Sequence, residues 1–348
     1  MEQWTDLESA AAALGVTATP LCARRKLVST APVLGAAAEA TTVEWKLQTS
    51  AMTTAAFESA ELVAGWLPRA GGRLIARAMH NDSADFLARL GELKPRAGPR
   101  LAGTAFLMGG HRDNFWHFLH NAVLRLAALE LWPDAEASRS AMIVVPEDLK
   151  PEFRPVLSAL GYAAERLAPV PTGAAARFER LIVSELPFHR PPGRPVISPE
   201  AVQWLRARLQ TPPAPGGRRI YLSRADARWR RVTNEPELVE ALTRDGFETL
   251  RLSELEVPEL IRTMQEAAVV VGASGANLGA TLFCPPGARV VELTPDTHLN
   301  NHYFQTASTA AGHAHVKVLG RASPEEGPDH RRDFAVDPGL VRRAAHAP

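Results

Sequence analysis

The sequence predicts an α/β protein built from parallel β-sheets that are flanked by helices. Short apolar runs alternate with amphipathic segments over residues 101–320, and a segment rich in proline and glycine interrupts this alternation at residues 211–217. Strands that alternate with helices form parallel sheets covered on both faces. At 348 residues the chain is long enough for two such domains, each with its own core.

The composition excludes several classes of protein. With 39 basic and 38 acidic residues the net charge is +1, so nothing in the overall charge favours nucleic acid as a partner. Cys22 and Cys284 lie far apart and predict no disulfide framework, which favours a reducing compartment. No apolar run approaches the roughly 20 residues that span a bilayer, and the N-terminus does not resemble a signal peptide. We expect a cytoplasmic protein, and peripheral contact with the inner membrane stays open. The abundance of alanine and arginine is typical of a GC-rich bacterial genome.

The first half of the chain is predicted to form one domain over residues 101–210, with the weakly patterned residues 1–100 as a further part of it. Apolar runs bounded by Gly and Pro predict the strands, and apolar residues at helical spacing predict the helices. The expected strands are 41–47, 73–77, 104–108, 141–145 and 180–184, and the expected helices are 115–131, 152–160 and 199–209.

The second domain is predicted at residues 218–320, after a linker at 211–217. The prolines of the linker lack N–H donors and its glycines relax the backbone, which suits a hinge between domains. Strand centres are expected near Ile220, Thr249, Val270 and Val291, at the spacing of right-handed crossover units. Residues 321–348 are expected to form a charged tail with a short helix at 338–345.

A glycine-rich turn follows the strand around Val270 and reads Gly272-Ala-Ser-Gly275-Ala-Asn-Leu-Gly279. Because the turn opens a helix, its N–H groups and the helix dipole favour an anion, and Gly275 lets the backbone approach a phosphate. A tight turn without ligand is the alternative. The next strand ends in Glu292, which we expect to bind ribose hydroxyls, or else to be an ordinary surface carboxylate. The candidate ligand-binding residues are Ser274, Gly275, Ala276, Asn277 and Glu292.

A basic loop follows the strand Ile220-Tyr-Leu-Ser223 and contains Arg224, Arg228, Arg230 and Arg231. Guanidinium groups suit phosphate oxygens, and Arg224 ends a strand at the edge of the sheet where α/β folds bind ligands. We select Arg224 and Arg231 as phosphate ligands, and regard Arg228 and Arg230 as solvated side chains.

The helix at 115–131 begins with Asn114-Phe-Trp-His117-Phe-Leu-His120-Asn121. An imidazole can take a proton from a hydroxyl, so His117 is a candidate general base, and a packed core histidine is the alternative. His111, His117 and His120 suggest a metal site, but no H-E-x-x-H motif, cysteine pair or D-x-D sequence supports one. We expect no metal and no other cofactor.

Four motifs in this order resemble glycosyltransferase family 61, over about residues 100–320. They are Asn114 to Asn121; Tyr221-Leu-Ser-Arg224 with Arg231 and Asn234-Glu235; the glycine turn; and Val290-Val-Glu292-Leu. The resemblance implies a GT-B architecture, in which two Rossmann-like domains face each other across a cleft. The N-terminal domain would bind the acceptor, and the C-terminal domain the nucleotide-sugar, with Asn234 and Glu235 among its donor-binding residues.

The resemblance implies metal-independent, inverting transfer of a sugar from a nucleotide-sugar donor to a glycan or other hydroxyl acceptor, in surface polysaccharide or glycoconjugate synthesis. Two positions depart from the family pattern, since Ser274 replaces a histidine and Asn121 replaces an acid. Asn121 cannot act as a base, which leaves His117 or His120 as the catalytic base. Both departures favour the alternative function, a non-catalytic nucleotide- or sugar-binding scaffold that partners a polysaccharide-synthesis enzyme. The oligomeric state is not predicted.

Overall fold

The structure is a computed structural model. It describes residues 3–4, 6–35, 38–75, 95–109, 113–186, 188–189, 196–298, 302–324, 328 and 331–346. Within these ranges, none of the helices combines the length and the apolar character needed to cross a membrane.

Strands and helices are numbered here in chain order. The strands are β1 Gln3–Trp4, β2 Lys26–Gly35, β3 Ala38–Gln48, β4 Thr54–Glu58, β5 Glu61–Val63, β6 Leu67–Ala70, β7 Arg73–Ile75, β8 Arg96–Leu107, β9 Met142–Pro146, β10 Leu167–Val170, β11 Ala174–Ser184, β12 Phe188–His189, β13 Val196–Ile197, β14 Arg218–Leu222, β15 Phe247–Leu250, β16 Ala267–Ala273, β17 Arg289–Pro295, β18 Ala314–Ala322 and β19 Phe334–Ala335. The helices are α1 Leu7–Ala13, α2 (residues 115–130), α3 Ala135–Ser140, α4 Arg154–Ala159, α5 Pro199–Arg208, α6 Glu235–Arg244, α7 Val257–Gln265, α8 Tyr303–Ala311 and α9 Pro338–His346. Outside α2, the described residues also form five 3-10 helices, at Pro151–Phe153, Ala164–Arg166, Leu252–Glu254, Ala276–Phe283 and Asp296–His298.

The chain divides into two compact units. Unit 1 consists of Met1–Arg25 and Thr49–His189, and unit 2 of Lys26–Gln48 and Arg190–Pro348. These boundaries differ from the expected ones, because residues 26–48 join unit 2 and residues 211–217 lie inside it. In that segment Gly216 packs so closely that a Cβ there would lie 2.6 Å from the carbonyl oxygen of Glu266. The segment therefore connects α5 to β14 within unit 2, and most of its residues are exposed.

The sheet of unit 1 is mixed, which corrects the prediction of a purely parallel sheet. Its strands follow the order β1-β7-β6-β5-β11-β8-β9-β10, and β4 also pairs with β11. The pairs of β11 with β8, β8 with β9 and β9 with β10 are parallel. The strands from residues 54–75 add antiparallel pairs to the other edge of β11. Tight turns join β5 to β6 and β6 to β7, and such turns produce antiparallel neighbours. Strands β4 and β5 follow each other in the same direction along β11.

The predicted strands and helices of residues 101–210 are present in unit 1 and the start of unit 2, with different ends. Strands β8 and β11 begin earlier than the apolar runs indicated. The first nine residues of β8 are exposed or half-buried, whereas the first half of β11 alternates buried residues with more exposed ones. The predicted helix at 115–131 is present as α2, but its interior is irregular. It runs from α-helical Phe115–His117 through a π-helical turn at Phe118–Ala122 and a 3-10 turn at Val123–Arg125 to α-helical Leu126–Glu130. The predicted strand at 41–47 is confirmed within β3. Of the one at 73–77, residues 76–77 lie outside the described residues.

The sheet of unit 2 has the order β15-β14-β16-β17-β18-β2-β3, and β19 pairs antiparallel with β18. The strands from β15 to β2 are parallel throughout, and the β2–β3 hairpin is antiparallel. The four expected strands near Ile220, Thr249, Val270 and Val291 are confirmed as β14 to β17. Both faces of central β16 and β17 are largely buried. β16 is accordingly a continuous apolar run, whereas β17 also contains Arg289, Glu292 and Thr294.

Helices cover both faces of the unit 2 sheet. On one face α6 and α9 pack against Tyr221, Val271, Val291 and Val316 in a single apolar cluster. The helix expected at 338–345 is confirmed as α9, and its apolar residues are part of this core. On the other face lie α7, α8 and the 3-10 helix Ala276–Phe283. The residues of that face include the charged Glu292 and Lys317, which are described with the site below.

Candidate functional site

The strand order of unit 2 creates a crevice at the carboxyl ends of β14 and β16. After β14 the chain builds β15 on one side and then returns to place β16 on the other side of β14. The two connections leave the sheet in opposite directions at this point. In open α/β sheets, ligands bind at such a switch point.

Arg224 and the glycine turn meet at this crevice. Strand β14 ends at Leu222, two residues before Arg224, and the neighbouring β16 ends at Ala273, just before the turn. Nη1 of Arg224 donates to Oδ1 of Asn277 at 3.1 Å, and Nη2 donates to the carbonyl oxygen of Trp229 at 3.1 Å. The sequence therefore predicted correctly that these two motifs lie together.

The Arg224 guanidinium approaches the glycine turn most closely at Gly275. A Cβ at this position would overlap Nη1 and Cζ of Arg224. The φ angle of Gly275 is 172°, an extended value open to any residue, so backbone conformation does not require glycine. The absence of a side chain is required because the guanidinium lies directly on the turn.

The turn leads into the 3-10 helix Ala276–Phe283. The first N–H groups of such a helix have no partner within it and can bind an anion. Ala276 and Asn277 are half-buried, whereas Ser274 is completely buried. The backbone N–H of Ser274 donates to the carbonyl oxygen of Leu293 at 2.7 Å, which fixes the turn to β17. Of the four predicted turn residues, Gly275 to Asn277 line the crevice and Ser274 lies beneath it.

Glu292 lies inside the unit, below the turn. Its side chain has no exposed surface, and Oε2 is 3.1 Å from Nε2 of His315 and 3.7 Å from Nζ of Lys317. Burial raises the pKa of Glu292, but the Lys317 charge, His315 and a hydrogen bond from Ser274 together lower it to about 2. Nδ1 of His315 in turn lies 2.9 Å from Oγ of Ser308. Glu292 is therefore placed to support Ser274 from below, whereas the expected ribose contact requires an accessible carboxylate.

The two arginines at the end of the basic loop differ in their surroundings. Arg231 is exposed, and its Nε and Nη2 donate to Oδ2 of Asp333 at 2.8 and 2.7 Å. Its backbone N–H also donates to Oδ1 of Asp333 at 2.8 Å. Arg230 is half-buried, and burial lowers its pKa while the carboxylate of Glu292 raises it. Burial and the neighbouring Arg230 charge lower the pKa of Arg224 to about 10. Arg230 therefore lies close to Arg224, and Arg231 is tied to the C-terminal segment.

Asn234 and Glu235 stabilise the loop from its far end. The Asn234 amide donates to the carbonyl oxygen of Val336 at 2.8 Å, and its oxygen accepts from the Val336 N–H at 3.0 Å. Oε1 of Glu235 accepts from the hydroxyl of Tyr221 at 2.8 Å. Both side chains of this predicted donor-binding pair thus bond within the protein.

The second set of predicted site residues lies in unit 1, in the irregular part of α2. Asn114 caps the helix, because its Oδ1 accepts from the N–H of His117 at 3.1 Å. His117 is half-buried, whereas His120 and Asn121 are buried within the π-helical turn. Nδ2 of Asn121 lies 3.4 Å from Nδ1 of His117, and the His120 ring stacks on Trp116 at 4.6 Å. π-Helical turns inside α-helices are frequent at functional sites. His117 is the accessible imidazole of this group.

No cluster of three or more His, Cys, Asp or Glu side chains able to hold a metal ion occurs among the described residues. His111, which the sequence suggested as one ligand, lies outside them.

Two residues of this region were missed at the level of sequence. Arg230 was assigned to solvent, because its position within the loop contains no signal that separates it from Arg228. Asp333 was not selected, although Arg331-Arg332-Asp333 is a single acid beside a basic pair. Its contact with Arg231 spans 102 residues and has no local sequence signature.

Residues 115–291, just over half of the chain, match the family model described as Glycosyltransferase 61. A protein of Takifugu rubripes named Protein O-linked-mannose beta-1,4-N-acetylglucosaminyltransferase 2 is 40% identical over 79 residues, which cover 22% of this chain and 13% of that protein.

Relatives of the same name match from other vertebrates. The protein of Canis lupus familiaris is 33% identical over 105 residues, and that of Xenopus laevis is 36% identical over 103. Each match covers 28% of this chain and 18% of the relative. The matched stretch therefore spans less than a fifth of the length of these curated relatives.

Proposed function

The chain belongs to glycosyltransferase family 61, and from this premise we propose that it transfers a sugar from a nucleotide-sugar donor to an acceptor hydroxyl. The observation that carries the proposal is the contact between the Arg224 guanidinium and the Gly275 turn at the switch point of unit 2. A guanidinium fork and helix N-terminal amides converge there, and both favour phosphate oxygens.

The diphosphate of the donor is proposed to bind against Arg224 and the turn from Gly275 to Asn277. Each charge-assisted hydrogen bond from a guanidinium contributes about 1.5–3 kcal/mol. The same groups would stabilise the negative charge that develops on the departing nucleoside diphosphate. Positive side chains would thus take the place of a divalent cation, and we propose that transfer is metal-independent.

His117 is proposed as the general base. In an inverting single displacement, the acceptor oxygen attacks the anomeric carbon opposite the leaving diphosphate and loses its proton to the base. A neutral imidazole accepts that proton at Nε2 only when Nδ1 carries its hydrogen. The carboxamide of Asn121, turned so that its oxygen faces Nδ1 of His117, would hold this tautomer. The proposal thus follows the GT-B division of labour, with unit 2 binding the donor and unit 1 supplying the base.

The proposal extends to the setting of the reaction. We place it in bacterial surface polysaccharide or glycoconjugate synthesis, in the cytoplasm or at the inner membrane, which the composition of the chain supports. Fractionation of producing cells tests the location, and recovery of the protein outside the cytoplasmic and inner-membrane fractions would contradict it.

A panel of nucleotide sugars tests the function. It begins with nucleotide-activated N-acetylglucosamine, because the names of the matched relatives specify that sugar. A donor raises the melting temperature by mass action, and release of the nucleoside diphosphate reports transfer or hydrolysis. We expect one nucleotide sugar to raise the melting temperature and to be turned over with release of the nucleoside diphosphate. This turnover should persist in EDTA. Binding without turnover would instead indicate a scaffold, and a panel without any binding would refute the proposal.

Two variants separate catalysis from binding. Arg224→Ala should weaken the binding of the donor at least tenfold, which corresponds to about 1.4 kcal/mol. His117→Gln should abolish turnover and leave the donor affinity and the melting temperature near their wild-type values. His120→Gln is the matched comparison, because that ring is completely buried and its loss should lower the melting temperature. Equal melting-temperature losses in both histidine variants would show that His117 has a structural role.

A further inference from the structure

The four arginines of the basic loop of unit 2 differ in burial and in backbone conformation. Arg228 and Arg231 are exposed, whereas Arg224 and Arg230 are half-buried. Arg230 also adopts a φ angle of +56°, in the left-handed region that non-glycine residues rarely enter. Such strain persists only where the surrounding structure enforces it, and it is concentrated at ligand-binding sites.

The residues on both sides of Arg230 enforce this conformation. Before it, the carbonyl oxygen of Trp229 accepts from Nη2 of Arg224 at 3.1 Å. After it, the backbone N–H of Arg231 donates to Asp333 at 2.8 Å, and the carbonyl oxygen of Arg231 accepts from the N–H of Phe334 at 3.0 Å. Arg231 is therefore an anchor that positions Arg230, and its own side chain is committed to Asp333.

Protein carboxylates balance the charges of Arg224 and Arg230 only in part. Asp226 and Asp333 raise the pKa of Arg224, but Asp333 is bonded to Arg231 and Asp226 accepts from the hydroxyl of Ser253. Arg230 acts on Arg224 as a like charge, and burial disfavours the charged form of both guanidinium groups. The carboxylate that faces Arg230 is Glu292, which is already shared by His315 and Lys317. Two half-buried cations beside a shared carboxylate favour the binding of an anion between them.

Unpaired hydrogen-bond donors lie on the loop and the turn, and among the described residues beneath them Oε1 of Glu292 is a buried acceptor without a partner. Within the described part of the chain, Nε of Arg224, Nε of Arg230 and Nδ2 of Asn277 are buried and have no hydrogen-bond partner. Buried donors are nearly always paired, so three such donors at one sheet edge indicate a ligand or water that accepts hydrogen bonds. A diphosphate is an anion with only acceptor oxygens at its surface, and it matches both the charge and the donors.

We propose that Arg230 and Arg224 together clamp the diphosphate of the donor, and that Arg231 serves to position Arg230. This inference rests on the proposed function and names the second cation of that site. The arrangement would supply two guanidinium forks to the leaving group.

Calorimetric titration of the full chain with UDP and with inorganic pyrophosphate tests the clamp. The key variant is Arg230→Gly, because glycine relieves the left-handed strain while it removes the guanidinium. We expect its affinity for both probes to fall at least tenfold, while its melting temperature without ligand stays equal to or above that of the wild type. A purely structural role for Arg230 would instead lower the melting temperature.

Arg228→Met is the matched control, because it removes the same charge from an exposed position of the same loop. Its affinity should stay within threefold of the wild-type value. Arg230→Lys keeps the charge and the side-chain bulk but loses the fork, and should bind both probes several-fold more weakly. This variant also tests the clamp if Arg230→Gly fails to fold.

The outcomes separate this inference from the proposed function. If Arg224→Ala loses affinity while both Arg230 variants bind as the wild type does, the clamp is refuted and the proposed donor site remains. The clamp is also refuted if Arg228→Met loses as much affinity as Arg230→Gly. If the wild type binds neither probe and no nucleotide sugar, both the proposed donor site and the clamp are refuted.

Discussion

Gly275 illustrates how the absence of a single side chain shapes the candidate site. The Arg224 guanidinium occupies the space that a Cβ at position 275 would need, and Asn277 fixes the guanidinium there with a hydrogen bond of 3.1 Å. A glycine in this turn is thus explained by a side-chain contact, and the extended φ angle of Gly275 requires no special residue.

Gly275→Ala should displace the Arg224 guanidinium. Because the displaced group can move outwards, we expect a loss of nucleoside diphosphate affinity of tenfold or more, with a change in the free energy of unfolding of only about 1 kcal/mol. Calorimetry and denaturant unfolding measure the two effects. Gly217→Ala is the control, since a Cβ at position 217 would meet no atom within 4 Å. Unchanged affinity in Gly275→Ala would show that the position of Arg224 is unimportant for binding.

His313 should make the stability of the protein depend on pH. Burial and the nearby Arg206 lower its pKa to about 3, against an ordinary value of 6.5. Between these two pH values the unfolded chain binds the proton and the folded chain does not. The contribution of neutral His313 to the free energy of unfolding is therefore fully present above about pH 6.5. Below that pH it falls by about 1.4 kcal/mol per pH unit. His313→Gln should flatten the pH dependence of the unfolding free energy in this range. An unchanged slope would contradict the assignment.

At the scale of elements, the three neighbouring strands β16, β17 and β18 carry a buried polar network. Glu292 of β17 contacts His315 and Lys317 of β18, and Ser274 after β16 bonds to the same carboxylate. The network replaces apolar packing beneath the turn. Because Glu292, His315 and Lys317 meet only in the observed register of β17 and β18, that register determines where Ser274 is held.

Lys317→Met should destabilise unit 2 strongly. Removing one partner of a buried ion pair leaves the other charge uncompensated, which costs about 3–5 kcal/mol. Denaturant unfolding measures this loss. Lys46→Met is the matched control, because Lys46 lies exposed on β3 of the same sheet and should change stability by less than about 0.5 kcal/mol. Equal effects of the two substitutions would mean that the buried contact contributes nothing to stability.

At the scale of the whole molecule, unit 2 is built from two separate segments of the chain. The hairpin of β2 and β3 comes from residues 26–48, and β2 pairs in parallel with β18. Helix α8 packs on this hairpin, and Oγ1 of Thr309 donates to Oγ of Ser29 at 2.7 Å. Without the hairpin, β18 would expose an unpaired edge and an apolar surface.

Residues 190–348 alone should therefore fail to unfold cooperatively. Fusion of residues 26–48 to this fragment through a flexible linker should restore a cooperative transition, because it returns β2 to the edge of β18. Circular dichroism during thermal unfolding measures both fragments, and a fusion with a scrambled 26–48 segment is the control. Cooperative unfolding of residues 190–348 by themselves would show that the hairpin is dispensable.

The elements that could be predicted from the sequence are those specified by the pattern of neighbouring residues. Strands β14 to β17 and helix α9 were predicted because their apolar residues repeat at the period of one element. The approach of Arg224 to the glycine turn was predictable too, since adjacent parallel strands bring their carboxyl ends to one edge. The mixed character of the unit 1 sheet and the π-helical turn of α2 were not, because packing rather than propensity selects them.

The sequence by itself determined the order of strands, basic loop and glycine turn, because backbone preferences and hydrophobic period are properties of neighbouring residues. Only the tertiary structure decided which loop arginine is buried, that Glu292 lies beneath the turn, and that residues 26–48 complete the second sheet. These outcomes depend on contacts between distant segments, such as that of Arg231 with Asp333 across 102 residues. Burial and charge pairing depend on which distant segments the fold brings together. They decide whether a side chain can bind a ligand, position a neighbouring residue or pack in the core.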